Sequence, residues 1–232
     1  MLTVEGVGPD LVVILPGFMI APTAYSTVAR TLASSGPTVL VPQLYRRGIG
    51  ALAGRVDVAD EAGRAADLVQ ATAARHPGSR VHLAGHSRGG QAAWRAASIL
   101  PADHLPASLM VLDPVDGAGR APTERTSTAA PVTWTAPALV VGAGVEGRCA
   151  PGPVNHRQFA GANRAARHVV VDGLGHADLL DGRARAIGRR LCGGGADPDG
   201  ARAVLIALLI AWITAIDAAA VLPPVAGTTV LR

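Results

Sequence analysis

The chain contains no lysine: its 21 basic residues are all arginines, set against 17 acidic residues for a formal net charge of +4. These arginines are scattered among alanine and glycine instead of lying in blocks. The surplus that sets a pI near 10.0 is therefore no sign of a nucleic-acid partner, and a GC-rich coding bias gives the same composition. Cysteine is almost as scarce. Two residues, Cys149 and Cys192, do not make a disulfide framework, and no Cys/His spacing reads as a zinc site, so no metal is expected. They are expected as reduced thiols, with a single bridge as the alternative. The first residues, "MLTVEGVGPDLVVILPGF", lack a basic start, a long apolar run and a small-residue cleavage site, so no signal peptide is read and a cytoplasmic location is expected. Apolar runs long enough to span a bilayer are missing too. The stretch "AVLIALLIAWITAI", Ala203 to Ile216, is bracketed by Arg202 and Asp217 and falls short of the roughly 20 residues that span a bilayer. It reads as a buried helix, folded back through the breaker "CGGGADPDG".

What is present is apolar material enough for one α/β core. With 49% hydrophobic and 16% charged residues over 232 positions, the chain is too apolar for disorder and reads as a single domain, 1–232. Short β-branched runs alternate with Ala-rich helical stretches. "LVVIL" from Leu11, "TVLVP" from Thr38, "RVHLA" from Arg80, "SLMVLD" from Ser108, "ALVVGA" from Ala138 and "HVVVDG" from His168 have strand length and near-continuous hydrophobicity, the mark of buried parallel strands. "PTAYSTVARTLASSG", "VADEAGRAADLVQATAARHPG" and "GGQAAWRAASILP" carry helical periodicity and end on Gly or Pro. The expected fold is α/β: a mostly parallel, doubly wound sheet flanked by helices. One low-complexity stretch, a polar loop from Gly117 to Ala136, interrupts the alternation.

In such a sheet, reactive groups collect at the carboxyl ends of the strands. Those ends carry Ser87, Asp113, Glu146 and His176 in chain order, a nucleophile, two candidate acids and a base. Ser87 lies in "VHLAGHSRGG", where Gly85, Gly89 and Gly90 mean that the backbone goes where a side chain cannot. A G-x-S-x-G match alone settles little, but this one follows a strand and opens a helix, the setting of a nucleophile elbow.

A serine hydroxyl needs a base to take its proton. Of seven histidines, His82, His76, His104 and His168 sit in or beside regular elements and read as structural, and His86 adjoins the serine but points elsewhere. His176, in "DGLGHADLLDG", lies in a loop beyond the last strand, where it can hang over the elbow. The orienting acid is expected to be Asp113, at a strand tip before Pro114, with Asp116 and Glu146 as competitors. Oxyanion donors are expected from the N–H of Arg88, after the nucleophile, and of Phe18 in the turn "LPGFM"; the plainer reading is that Phe18 only walls a pocket.

Together, "GHSRGG", "LDPVDG", "CAP" followed by "VNHRQF", and "GLGHADLLD", with "PGF" and "VLVPQLY", resemble chlorophyllase, the α/β-hydrolase that cleaves the phytyl ester of chlorophyll. The resemblance runs from about Leu11 to Cys192 and implies an α/β-hydrolase fold. By position it makes Ser87 the nucleophile, Asp113 the acid and His176 the base. The antiparallel strands that usually precede the first core strand are missing or replaced here, so the fold is expected to be shortened at its N-terminus.

The function expected is that of a serine carboxylic ester hydrolase, acting through an acyl-enzyme without cofactor or metal. A lipase, cutinase or polyester hydrolase is the alternative within enzymes, and a catalytically silent binder the alternative outside them. Met19, Ile20, Leu44, Leu179 and Leu180 are the expected apolar contacts of the ester. Asn155, His156 and Phe159 of "VNHRQF" are a further candidate lining, against a helix cap from Asn155 and a core role for Phe159. The expected partner is a small apolar ester, with peripheral contact with a lipid or pigment-bearing membrane as a further option.

Overall fold

The computed structural model describes residues 1–45, 57–118, 124–217 and 222–232; residues 119–123 of the polar loop lie outside these. Eight strands form one sheet: β1 (Leu2–Val4), β2 (Leu11–Leu15), β3 (Thr38–Val41), β4 (Val81–His86), β5 (Ser108–Leu112), β6 (Ala138–Val145), β7 (Arg167–Gly175) and β8 (Thr228–Val230). The sheet order is β1-β3-β2-β4-β5-β6-β7-β8. The six inner strands are parallel, and β1 and β8 close the two edges antiparallel to β3 and β7. An antiparallel strand thus does precede the first core strand, which corrects the expectation that it is missing. Three residues of half-buried pattern are too short a run for periodicity to register.

Side-chain alternation divides the core into two layers. Val12 and Ile14 of β2 point to one face with Val39, Met110, Val141 and Val169. There they are covered by α1 (Ser26–Ser34) and the long α6 (Pro198–Asp217). Leu11, Val13 and Leu15 point the other way with Leu83, Val111 and Val140. That face is covered by α2 (Val58–Arg75), α3 (Arg88–Ile99) and α4 (His156–Ala162). Asp57 starts α2 by accepting from the N–H groups of Ala59 and Asp60, as an N-cap carboxylate does. The expected buried helix is α6. Its residues Pro198–Ile216 are long and apolar enough to cross a membrane, but half of the stretch is buried against the sheet and α1.

Two glycines set how closely strand and helix meet at the elbow. A Cβ on Gly85 would lie 2.2 Å from the Gly89 carbonyl oxygen, and one on Gly89 would lie 2.3 Å from that of Leu15. Both obstacles are backbone, which cannot rotate away. Gly89→Ala is expected to cost at least about 1–3 kcal/mol of stability or to abolish folding. Gly63, in the interior of α2 with nothing near its would-be Cβ, is expected to behave oppositely, Gly63→Ala gaining about 0.5–1 kcal/mol. Urea midpoints of the two variants check both statements.

Candidate active site

The carboxyl ends of β4, β5 and β7 meet at one place. Ser87, directly after β4, has φ 55° and ψ −122°, and its N–H donates to the Leu112 carbonyl at 3.0 Å. Asp113, directly after β5, has φ 40°, and Met19, in the turn after β2, has φ 60°. Among the described residues these are the only non-glycines with positive φ. Such strain persists only where the surroundings over-determine it, and it clusters at working sites.

His176, the residue after β7, connects the other two. Its Nδ1 lies 2.6 Å from Asp113 Oδ2 and its Nε2 3.0 Å from Ser87 Oγ. The carboxylate can only accept, so Nδ1 carries the proton and the lone pair of Nε2 faces the serine hydroxyl. Asp113 is buried. Burial alone would raise its carboxyl, but the bond and charge of His176 and the Ala143 N–H outweigh it and hold the group below its ordinary value.

The competing acids lie elsewhere. The Asp116 carboxylate accepts from the N–H groups of Thr126, Ser127 and Thr128, the hydroxyls of Thr126 and Thr128, and Gln91. It therefore pins the polar loop. Glu146, after β6, is an exposed partner of Arg157 at 3.0 Å. Of the other histidines, His82 bonds Ser108 inside the sheet, and His168 is held by His156 at 2.8 Å.

A cleft of about 910 Å³ opens over Ser87 and His176. Gly17, Phe18, Met19 and Ile20 line one side with Val115 and Arg88. The opposite wall comes from Arg148, Pro151, Leu180 and α5 (Gly182–Cys192), which contributes Arg183, Ala184, Ile187 and Leu191. The N–H of Arg88 stands in the first turn of α3, where the helix offers it no acceptor. The Arg88 side chain turns away to a buried ion pair with Glu61 at 2.8 Å. The Gly17 N–H is taken by the Tyr25 hydroxyl, and the turn that carries Phe18 is closed by the Ile20 N–H on the Gly17 carbonyl.

Five expected lining residues are not brought to the cleft. Leu44 is buried beside Tyr45 in the helix layer over the other face. Leu179 turns inward to the α6 layer, leaving the wall to its neighbour Leu180. Asn155 caps α4 through the Arg157 N–H. Phe159 is fully buried edge-on against Trp94. His156 lies flat over Gly142, where a Cβ would come within 2.4 Å of its ring. The apolar residues at 44, 159 and 179 satisfy the core before the pocket, a choice that pattern alone does not resolve.

The cysteines also differ from the expectation of reduced thiols. Cys149 and Cys192 form a disulfide, tying the loop after β6 to the end of α5 within the cleft wall. A separation of 43 residues hides such a pairing from sequence. The wall supplied by α5 was missed for a related reason: the arginine-rich "GRARAIGRRLC" shows its apolar side only at positions 187 and 191.

An eight-stranded, mostly parallel sheet with a serine at a strained strand-to-helix turn, an imidazole after the last parallel strand and a buried carboxylate between them defines an α/β-hydrolase. A ferulic acid esterase from Streptomyces cinnamoneus has the same fold, with a TM-score of 0.64 at 20% identity, covering 97% of this chain and 74% of that one. So does one solved chain from the pair of metagenome-derived lipolytic enzymes LipS and LipT, at TM-score 0.55 and 16% identity, covering 81% of this chain and 94% of that one. More particularly, the chain belongs to the chlorophyllase family, whose model matches residues 3–219. It is 30% identical to Chlorophyllase-2 of Arabidopsis thaliana over 204 residues (76% of this chain, 62% of that protein) and 32% identical to Chlorophyllase-1 of the same plant over 203 (77% and 61%). The chain thus spans about three-fifths of the length of these relatives.

Two of the buried aspartates, Asp113 and Asp116, predict acid sensitivity. The Asp116 carboxyl, too, is held below its ordinary value of 3.8: burial raises it, but the Thr128 hydroxyl and the three N–H groups outweigh that. A depressed carboxyl contributes stability that is complete above the unfolded value and lost as pH falls through the folded one. Melting temperature is therefore expected to be flat above about pH 5 and to fall steeply below pH 4. Asp116→Asn is expected to lower it at neutral pH and flatten the acid fall. An acid limb unchanged in that variant rules out this assignment.

Proposed function

We propose that the chain is a serine carboxylic ester hydrolase whose substrate is an apolar ester of the phytyl type, as in chlorophyll. The observation that carries this reading is the hydrogen-bonded line from Ser87 Oγ through His176 to Asp113, at 3.0 and 2.6 Å, opening on the floor of an apolar cleft. His176 Nε2 takes the serine proton as Oγ attacks the ester carbonyl, and Asp113 stabilises the imidazolium that results. The oxyanion is met by the N–H groups of Phe18 and Arg88. As the tetrahedral centre collapses, His176 returns the proton to the departing alcohol and the acid half stays on Ser87 as an ester. Water, deprotonated by the same imidazole, then releases the acid and restores the serine.

The cleft supports a long apolar alcohol. Met19, Ile20, Leu180, Ile187 and Leu191 line it, and each methylene buried against such residues contributes about 0.8 kcal/mol, so a phytyl chain needs few polar contacts. Ile187 and Leu191 remain 54% and 61% exposed, one turn apart on α5, and Arg148 and Arg183 share their wall. This rim suits peripheral contact with an anionic lipid surface. Flotation with phosphatidylglycerol vesicles is expected to carry the protein, and Ile187→Asp/Leu191→Asp to leave it behind; equal flotation of both discards the lipid contact.

Ser87→Ala is expected to fold normally and lose about 10⁶ in turnover. Asp113→Asn is expected to lose roughly 10⁴, and Glu146→Gln to stay within about tenfold of wild type, a change of less than 1.4 kcal/mol. Chromatography after incubation with chlorophyll a is expected to resolve chlorophyllide and free phytol. Cleavage of short esters or a polyester film with neither product replaces the phytyl reading with that of a lipase or polyester hydrolase. Absence of Ser87 labelling by a serine-directed phosphonate replaces both with a silent binder.

A further inference from the structure

A second imidazole is buried in the same shell as the reacting groups. His86, the last residue of β4, is 2% exposed, and its ring centroid lies 4.9 Å from that of His176. Its Nε2 is 2.9 Å from the His176 carbonyl oxygen. A carbonyl only accepts, so Nε2 carries the proton. Nδ1 is then the acceptor, 2.8 Å from the Tyr25 hydroxyl, whose own oxygen accepts from the Gly17 N–H at 2.8 Å. Every donor in this chain points the same way: Gly17 N–H to Tyr25, Tyr25 O–H to His86, His86 Nε2–H to His176.

The hydrogen-bonded chain joins residues 17–25 to His86 and to His176, three segments remote from one another in sequence. Gly17 opens the turn that carries Phe18, Tyr25 closes the short helical turn Pro22–Tyr25, and His176 is the base itself. We propose that His86 and Tyr25 are positioning residues, holding the His176 loop and the Gly17–Phe18 turn at one fixed separation so that base and oxyanion donors stay in register through both acyl-transfer steps. The proposal rests on the ester-hydrolase reading above. Neither residue touches the reacting atoms. Burial, followed by the neighbouring His176, pushes His86 down to about 3, and burial pushes the Tyr25 hydroxyl up. The chain therefore keeps its direction across the neutral range. It also spares the imidazolium that forms on His176 a second positive ring at its side.

Three variants test this with p-nitrophenyl butyrate as substrate. Tyr25→Phe leaves the Gly17 N–H and His86 Nδ1 without their bridge, and His86→Leu removes both contacts. His86→Gln keeps an N–H near the place of Nε2. Misplacement by about an ångström costs up to about 10²-fold, so kcat is expected to fall about 10- to 100-fold in Tyr25→Phe and His86→Leu. KM is expected to move by less than about twofold, as when only transition-state contacts are lost. Phosphonate labelling of Ser87 should slow in proportion, and His86→Gln should regain most of the loss. The proposal is overturned if melting temperature falls while kcat and labelling rate hold, if KM carries the effect, or if Gln does no better than Leu. Should His86→Leu fail to fold, Tyr25→Phe decides alone. Ser87→Ala, run alongside, separates the two ideas. Turnover retained there ends the ester-hydrolase reading, whereas its loss beside a Tyr25→Phe of wild-type kcat ends only the positioning role.

Discussion

The site depends on crowding between three pieces of backbone. The strand β4, the helix α3 and the end of β2 meet where only hydrogen fits on Gly85 and Gly89. Because the strand passes into the helix with no room for a wider bend, Ser87 is forced to φ 55°, which lifts its side chain out of the sheet. The contact of Gly89 with the Leu15 and Pro16 carbonyls also fixes where the chain leaves β2. The turn at Phe18 therefore begins at a set distance from the nucleophile. The separation of Ser87 from the turn at Phe18 is thus set by backbone sterics.

Burial then controls charge. Asp113 is kept ionised in a low-dielectric setting because His176 and the Ala143 N–H together exceed the cost of removing it from water, and an ionised, oriented carboxylate is what an imidazolium needs beside it. The neighbouring pair of Glu61 and Arg88 is balanced differently. Burial pushes the Glu61 carboxyl up, and Arg88 pulls it back only in part. A buried pair of this kind contributes little net stability but is costly to break. It holds the Arg88 side chain on Glu61 and the Gly117 carbonyl.

Much of the fold was legible because buried parallel strands carry nearly continuous β-branched runs. All six inner strands begin within one residue of where those runs start. The edge strands at Leu2 and Thr228 are three residues each, too short for periodicity to separate from loop. At the site, Ser87, Asp113 and His176 could be read in advance because strand ends are fixed points of the architecture. The cleft walls were less accessible. Phe159 and Leu179 are as apolar as Met19 and Ile20, and only tertiary packing sends the first two inward. Tyr25 gave no signal at all, since its partner is 61 residues away. His86 was visible in the elbow motif and expected to point away from the serine, but its partners Tyr25 and the His176 carbonyl were not legible.

With Asp113 after β5 bonded to His176, the end of β6 adds no residue to the hydrogen-bonded line from Ser87. Glu146 there is exposed and paired only with Arg157, and the segment that follows runs into the bridge to α5. The proposed chemistry thereby falls to the loops after β4, β5 and β7, and much of the cleft wall to the segment after β6 and to α5. On the ester-hydrolase reading, changes in residues 146–155 or along α5 are expected to alter which esters fit while leaving the hydrogen-bonded line from Ser87 to Asp113 in place. The specificity of such a site is then open to adjustment through those two segments, apart from the residues proposed to carry the reaction.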